Sequence, residues 1–185
     1  MKGPGKTKAR ALPDLKEAIA IMKKAGANDE VIKHCQCVAT LAVTISKRLQ
    51  KRGVKIDGDL VLAGALLHDI GRSKSHEIDH AVVGAAIAKD MGLDERIVRI
   101  IERHIGAGIP ADEAERIGLP KKDYIPETIE EKVVTHADNL CNFKRHPVEV
   151  TIEKLEGKGK HDAAKRMRML HDELSGLAGM DLNDI

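Results

Sequence analysis

Apolar residues recur three and four positions apart along most of the chain, with polar residues filling the intervals, which is the spacing of helices that bury one face. In "PDLKEAIAIMKKAG" the stripe is Leu15, Ala18, Ile19 and Met22, closed by Gly26, so a short amphipathic helix is predicted there. The longer "NDEVIKHCQCVATLAVTISKRLQKRG" continues the pattern through Val38, Leu41, Ile45 and Leu49, and Gly53 is placed to end it. Helices are expected again in "DGDLVLAGALLHDIG", in the segment opening at Asp79, in "LDERIVRIIERHIG", in a short "PADEAERIG" and in "PETIEEKVVTHADNLCNF". Two more are expected around Val148–Leu155 and Asp162–Leu177. The alternation of period two that a half-buried strand requires is nowhere sustained, so the predicted fold class is all-α. No internal repeat is visible, and the only linker-like stretch is "EGKGKH" near residue 158.

Several polar residues interrupt the apolar stripes. His34 stands four residues before Val38 and seven before Leu41, on the predicted buried face of its helix. His80 bears the same relation to Val83, Ile87 and Met91, His104 follows Ile97, Ile100 and Ile101, and Asp138 lies on the side of Val134 and Cys141. A buried polar group must find a partner. One such histidine is most simply a hydrogen-bonded core residue, but a set spread over several helices is harder to explain in that way. His68 and Asp69 are adjacent, and neighbours on a regular helix point about 100° apart. Both can face one ion only where the helix ends, and Gly71 supplies such an end. Neutral imidazoles with carboxylates suit Mn, Fe, Co, Ni or Zn. There is no thiolate cluster for a structural zinc site, and a mixed His/Asp site that keeps open positions is the catalytic arrangement.

Composition narrows the picture. The chain has 185 residues, enough for one well-buried core. Its 42% hydrophobic content includes one Tyr, one Phe and no Trp, so the core is aliphatic and a platform for stacking single-stranded bases is disfavoured. Net charge is +2 with both signs interspersed, which specifies neither a nucleic-acid nor a membrane partner. The expected organisation is a basic arm over residues 1–11, a main domain over 12–146 and a helical extension over 147–185 packed on the same domain. The stripe Ala163, Met167, Leu170, Leu174 and Leu177 of that extension could otherwise cover a homodimer contact. With no apolar run of signal-peptide or membrane-span length, a cytoplasmic location is expected. Cys35 and Cys37 point to different sides of one helix and Cys141 is remote, so all three are expected as reduced, small core residues. Few Asn and Gln with many Lys and Glu are compatible with a thermophilic source.

The ordered set His34, His68-Asp69 and Asp138 resembles the H…HD…D signature of the HD-domain superfamily of metal-dependent phosphohydrolases, and "HDIG" at 68–71 is a common form of its core. The resemblance runs from about residue 30 to residue 143. It implies an all-α HD-domain helical bundle with the metal site between core helices, one metal being held by His34, His68, Asp69 and Asp138. His80 and His104 resemble the extra histidines of binuclear members, in which Asp69 would bridge and these two would hold a second divalent ion. The strings "DHAVVGA", "IIERHIGAG" and "EKVVTHADNL" are similar to those of bacterial HD diadenosine tetraphosphate hydrolases and of short archaeal HDIG proteins. The implied activity is cleavage of a phosphomonoester or phosphoanhydride of a small nucleotide by a metal-activated hydroxide, with Asp69 and Arg72 catalytic. Arg72 stands where many HDIG proteins carry Lys and could fork onto a phosphate; the alternative is a pairing with a local acid.

Lys74 and His76, beside Glu77 and Asp79, are candidates for a substrate rim, while Lys121, Lys122 and Tyr124 read as a solvated loop. His136 faces away from Asp138 and is left out of the ligand set, and His146, His161 and His171 are assigned to surface or tail. Two other functions fit: a non-catalytic nucleotide or metal sensor, and a cyclic-dinucleotide phosphodiesterase. The second is weakened because "IGAGIP" after His104 lacks the GYP-type signature of that subfamily. No membrane partner and no sequence-specific nucleic acid are expected, because HD proteins that use RNA usually append a separate binding module.

Overall fold

The computed structural model describes residues 11–142 and 144–185. The basic arm expected over 1–11 therefore lies, apart from Ala11, outside the described residues. Among those residues the chain forms α1 (Leu15–Ala25), α2 (Asp29–Lys51), α3 (Gly58–Leu67), α4 (His80–Asp90), α5 (Glu95–Arg103), α6 (Ala111–Arg116), α7 (Ile129–Asn139), α8 (Val148–Glu156) and α9 (His161–Ala178). Short 3-10 turns occupy Ile70–Ser73 and Leu182–Asp184. A two-residue antiparallel ribbon pairs β1 (Cys141–Asn142) with β2 (Lys144–Arg145), so the helix predicted to run through "CNF" stops at Asn139 instead.

Helix starts follow the capping chemistry of the sequence. Asp14 accepts from the Glu17 backbone N–H while the Glu17 carboxylate accepts from the Asp14 N–H, a reciprocal cap at the start of α1. Asn28, Asp57 and Thr128 cap α2, α3 and α7 through their side-chain oxygens. Gly26 ends α1 at φ 94°, a left-handed conformation that costs glycine little.

α3 is the axis of the core. Its residues Leu60, Val61, Ala63, Ala65, Leu66 and Leu67 are all buried, because α1, α2, α5 and α7 surround it. Two close approaches around it position the site. A Cβ at Gly64 would meet Ile100 Cδ1 at 2.5 Å, so the missing side chain lets α5 lie against α3. A Cβ at Gly71 would lie 1.9 Å from the His80 carbonyl oxygen, so the turn after α3 rests directly on the first turn of α4.

That second contact corrects one expected face. Val83, Ile87 and Met91 are only half-buried, and the inner side of α4 is Ala81, Gly84, Ala85 and Ala88. Small residues face inward because the backbones approach too closely for larger ones. On α1, Leu15 is exposed. On α9 the buried face is Ala164, Met167, Leu170, His171, Leu174 and Ala178, with Leu177 exposed. α9 packs across α2, α7 and α8, and its inner residues join the same apolar core as α3.

The cysteine expectation is corrected as well. Cys37 and Cys141 form a disulfide with Cα atoms 6.7 Å apart, while Cys35 is free and buried as expected. Two positions apart on α2, Cys35 faces the core and Cys37 faces β1. Among the described residues no helix is long and apolar enough to cross a membrane.

Candidate metal centre

Five elements deliver the six candidate ligands to one place: α2 brings His34, the end of α3 brings His68 and Asp69, α4 opens with His80, His104 follows α5, and α7 carries Asp138. Three of the imidazoles are fixed in the same way. His68, His80 and His104 each donate Nδ1–H to the carbonyl three residues earlier, Ala65, Glu77 and Ile101, at 2.8, 2.7 and 2.7 Å. A carbonyl can only accept, so Nδ1 carries the proton and the neutral ring turns the Nε2 lone pair inward.

Those lone pairs converge on carboxylates and on one another. His80 Nε2 lies 3.1 Å from His104 Nε2, and the two lie 3.2 and 3.5 Å from Asp69 Oδ1. On the other side, Asp69 Oδ2 is 3.7 Å from His34 Nε2 and 3.8 Å from His68 Nε2. Asp138 Oδ1 is 3.0 Å from His34 Nε2 and 3.4 Å from His68 Nε2, yet the fully buried His68 Nε2 makes no hydrogen bond. Acceptors that face acceptors in a buried site repel unless a cation lies between them. Ligand atoms of His34, His68 and Asp138, and likewise of His68, Asp69 and His104, lie within 4.8 Å of one another, close enough to share an ion. The residues present therefore fit a divalent metal, and the two oxygens of Asp69 look toward two different groups of donors.

The electrostatics agree with that fit. Burial penalises the charged form of His68, but Cys35, Asp69 and Asp138 outweigh it and push the imidazole well above its ordinary range. Burial likewise opposes ionisation of Asp69 and Asp138, yet positive charge at His68 and the nearness of the other imidazoles hold both carboxyls well below the usual carboxylate range. His104 is shifted downward, chiefly by burial. The carboxylate field of Asp69 and Asp138 that favours positive charge at His68 equally favours a metal cation beside its Nε2.

Arg72 is settled on a local acid, and that acid is Asp69: Arg72 Nε donates to Asp69 Oδ1 at 3.3 Å and Nη1 to the His76 carbonyl at 2.7 Å. The cluster opens into a cavity of about 610 Å³ whose wall includes Arg72 and His76. Lys74 is exposed on the same turn and does not line it. Lys121 and Lys122 pair with Glu115 and Glu102, and the buried Tyr124 donates to the Pro120 carbonyl, so that loop stays apart from the cavity.

Other positions were hidden in the sequence. Asn139, Thr151 and Lys154 line the cavity. Thr151 Oγ1 donates to the Asn139 carbonyl at 2.8 Å, and the Asn139 amide donates to Gly106 and Thr135, tying α7, α8 and the segment after His104 together. Asn139 follows Asp138 directly, but Thr151 and Lys154 stand on a helix beyond the motif and carry no local signal. His146, expected at the surface or in a tail, is half-buried and lines the cavity. His171 is also misplaced by the sequence reading: it is buried on α9, its Nδ1 3.2 Å from His136 Nε2 and its Nε2 3.1 Å from Asp181 Oδ1. Burial and the neighbouring His171 push His136 down to about 3.

Comparison with known proteins adds a family and relatives. Residues 31–142 match the family model described as HD domain. The chain is 49% identical over 175 residues to a tRNA (cytidine(56)-2'-O)-methyltransferase of Picrophilus torridus, covering 94% of this chain and 50% of that one. A protein of the same name from Thermoplasma volcanium is 45% identical, with 52% of it covered, so the chain spans about half the length of these relatives. An uncharacterized protein of Methanocaldococcus jannaschii is 44% identical over 167 residues, 89% of this chain and 98% of its own. Among solved structures, the HD domain of the L. monocytogenes phosphodiesterase PgpH in complex with cyclic-di-AMP has a TM-score of 0.53 at 17% identity, covering 85% of this chain and 96% of that one. At that identity the likeness concerns the fold.

Proposed function

The chain belongs to the HD domain family, and from that premise we propose that it is a metal-dependent phosphohydrolase that cleaves a phosphate ester or anhydride of a small nucleotide. The observation that carries this reading is the double-sided placement of Asp69, with Oδ2 toward His34 and His68 and Oδ1 toward His80 and His104. In this reading His34, His68, Asp69 and Asp138 hold one divalent ion, and His80 and His104 hold a second that shares Asp69. His68 is near enough to both donor groups to stabilise either. Bound there, such ions supply Lewis acidity toward phosphoryl oxygens and lower the pKa of water.

The chain's own groups prepare the site for that chemistry. The three Nδ1–H bonds to backbone carbonyls keep the imidazoles turned inward before anything binds, so little reorganisation is left for the reaction. Arg72 orients Asp69 through Nε and brings positive charge to the cavity wall, where a phosphate would meet it. Burial of His68, His80 and His104 keeps bulk water from competing at the ligand side, while the cavity opens on the other side. Its volume falls in the usual range for small-molecule sites, roughly 300–1,000 Å³. The solved neighbour's bound cyclic-di-AMP makes cyclic dinucleotides one class to include in the screen. The names of the archaeal relatives belong to chains about twice as long, and the proposal concerns the half that carries the cluster.

The test is metal content of protein purified without chelators or metal-affinity steps, with a Mn-, Co- and Ni-supplemented phosphate-release screen over mononucleotides, dinucleoside polyphosphates and cyclic dinucleotides. About two metals per chain, with turnover abolished by Asp69→Ala, supports the proposal. Bound metal without turnover on any of them refutes it in favour of a sensor.

A further inference from the structure

A second cavity, of about 310 Å³, adjoins the first and shares Ile105 and Gly106 with it. One wall is the segment from His104 into α6, with Ile109 and Ile117; the opposite wall is the turn from α8 into α9, with Leu155 and Lys160. α8 serves both spaces: Val150, Thr151 and Lys154 face the metal-centre cavity, and Leu155 faces the second. All of this second wall lies after residue 142, where the match to the family model stops. The wall is fastened, because Arg166 of α9 donates to the Gly108 carbonyl at 3.0 Å and pairs with Glu113 of α6 at 2.6 Å.

The lining combines two properties. Ile78, Ile105, Ile109, Ile117 and Leu155 make an aliphatic slot, and Ile78 and Ile117 are left exposed, 37% and 38%, at its mouth. The cations at its edge are uncommitted: among the described residues neither Lys154, on the metal-centre side, nor Lys160 is paired with a carboxylate. Lys160 is the one lysine of the slot's lining, beside Arg116, Asp162 and the Arg166–Glu113 pair, and Lys154 stands on the wall of the adjoining metal-centre cavity. An apolar slot that leads past these two lysines to a centre that fits divalent metals matches a ligand with a flat apolar end and an anionic link. The slot is too small for a folded partner, and Tyr124 is buried with its hydroxyl on Pro120, which leaves His161 as the aromatic ring in the slot's lining.

We propose that the groove between the His104–α6 segment and the α8–α9 turn binds the non-reacting nucleoside of a two-nucleoside phosphate compound, with its base between Ile117 and Leu155 and its phosphates passing Lys154 and Lys160 toward the metal centre. This rests on the phosphohydrolase reading for the placement of the phosphates. It makes α8–α9 the specificity element of the chain: the family motif supplies the cluster, and the extension selects what hangs from the phosphate.

Binding is measured by titration calorimetry on the metal-loaded full chain, with a methylene-bridged diadenosine tetraphosphate and with inorganic tripolyphosphate as probes. The wild type is expected to bind the dinucleoside probe about tenfold or more tightly than tripolyphosphate. Ile117→Glu, at an exposed position, and the milder Leu155→Ala are each expected to shrink that ratio severalfold, with folding checked by circular dichroism. Equal affinity for the two probes in the wild type, or an unchanged ratio in both variants, overturns the proposal. Hydrolysis of the unmodified compound on the same samples separates the two readings. Selective binding without turnover refutes the hydrolase and leaves the nucleoside slot standing, whereas turnover with no selectivity refutes the slot alone.

Discussion

Replacing Gly71 by alanine adds one methyl group at the tightest backbone contact beside the site. Built on the existing backbone, that carbon would lie 1.9 Å from the His80 carbonyl oxygen and 2.7 Å from the Gly84 nitrogen. A comfortable C···O separation is about 3.3 Å, so the turn and α4 must part by roughly 1.4 Å. Both obstacles are main chain, so no side-chain rotation relieves them. Overpacking that side chains can absorb costs about 1–3 kcal/mol, and a displaced backbone puts Gly71→Ala at about 3 kcal/mol or more. That is a large share of the ~5–15 kcal/mol that stabilises a typical domain. The same displacement would pull Asp69 Oδ1 away from His80 Nε2, now 3.2 Å distant, so metal content falls together with stability. Urea unfolding with and without a chelator, alongside metal analysis, is the assay. Gly176→Ala is the matched control, because nothing lies within 4 Å of its added carbon inside α9 and a gain of about 0.5–1 kcal/mol is expected. A Gly71→Ala protein that unfolds within about 1 kcal/mol of the parent and keeps its metal would refute the close approach.

Three further predictions concern the disulfide, a buried histidine on α7 and the second group of metal donors. Reducing the Cys37–Cys141 disulfide, which spans a sequence separation of 104, should cost about 4–5 kcal/mol of stability, and an unfolding midpoint unmoved by a dithiol would show that the bond is absent. His136, whose pKa falls from 6.5 to about 3 on folding, stays neutral in the native state while the unfolded chain takes up a proton. Stability should therefore be intact above pH 6.5 and decline as pH falls toward 3, by about 1.4 kcal/mol per unit from this residue; an identical acid slope in His136→Asn would remove the basis of the prediction. His80→Ala and His104→Ala should each lower metal stoichiometry by about one ion per chain, and two ions retained in both would make the second-ion assignment wrong.

Much of this architecture was legible in periodicity. The apolar stripes located the helices, and His34, His80, His104 and Asp138, read as polar interruptions of those stripes, lie in the structure together with His68 and Asp69, read as an adjacent pair at a helix end. What escaped has identifiable causes. The inner face of α4 was misjudged because Val83 and Ile87 are more apolar than Gly84 and Ala88, while the close contact at Gly71 selects for smallness. His171 stands four residues after Met167 and three before Leu174, so its burial was signalled by spacing and overlooked because it was histidine. The Cys37–Cys141 bond had no local signature, since only the packing of α2 beside β1 makes those two positions neighbours. Thr151 and Lys154 became part of the site through the return of α8 across the cavity mouth, which no short-range pattern encodes.

The Cys37–Cys141 bond also has a topological consequence. It closes residues 37–141 into a covalent ring, and His68, Asp69, His80, His104 and Asp138 all ride on that ring, with His34 one helical turn outside it. A single proteolytic nick within the ring, for instance at the exposed Lys121–Lys122 pair, would open the loop without dividing the molecule. The nicked protein would run as one species on a non-reducing gel and as two after reduction, with its cluster-bearing pieces still tethered until the bond is cut.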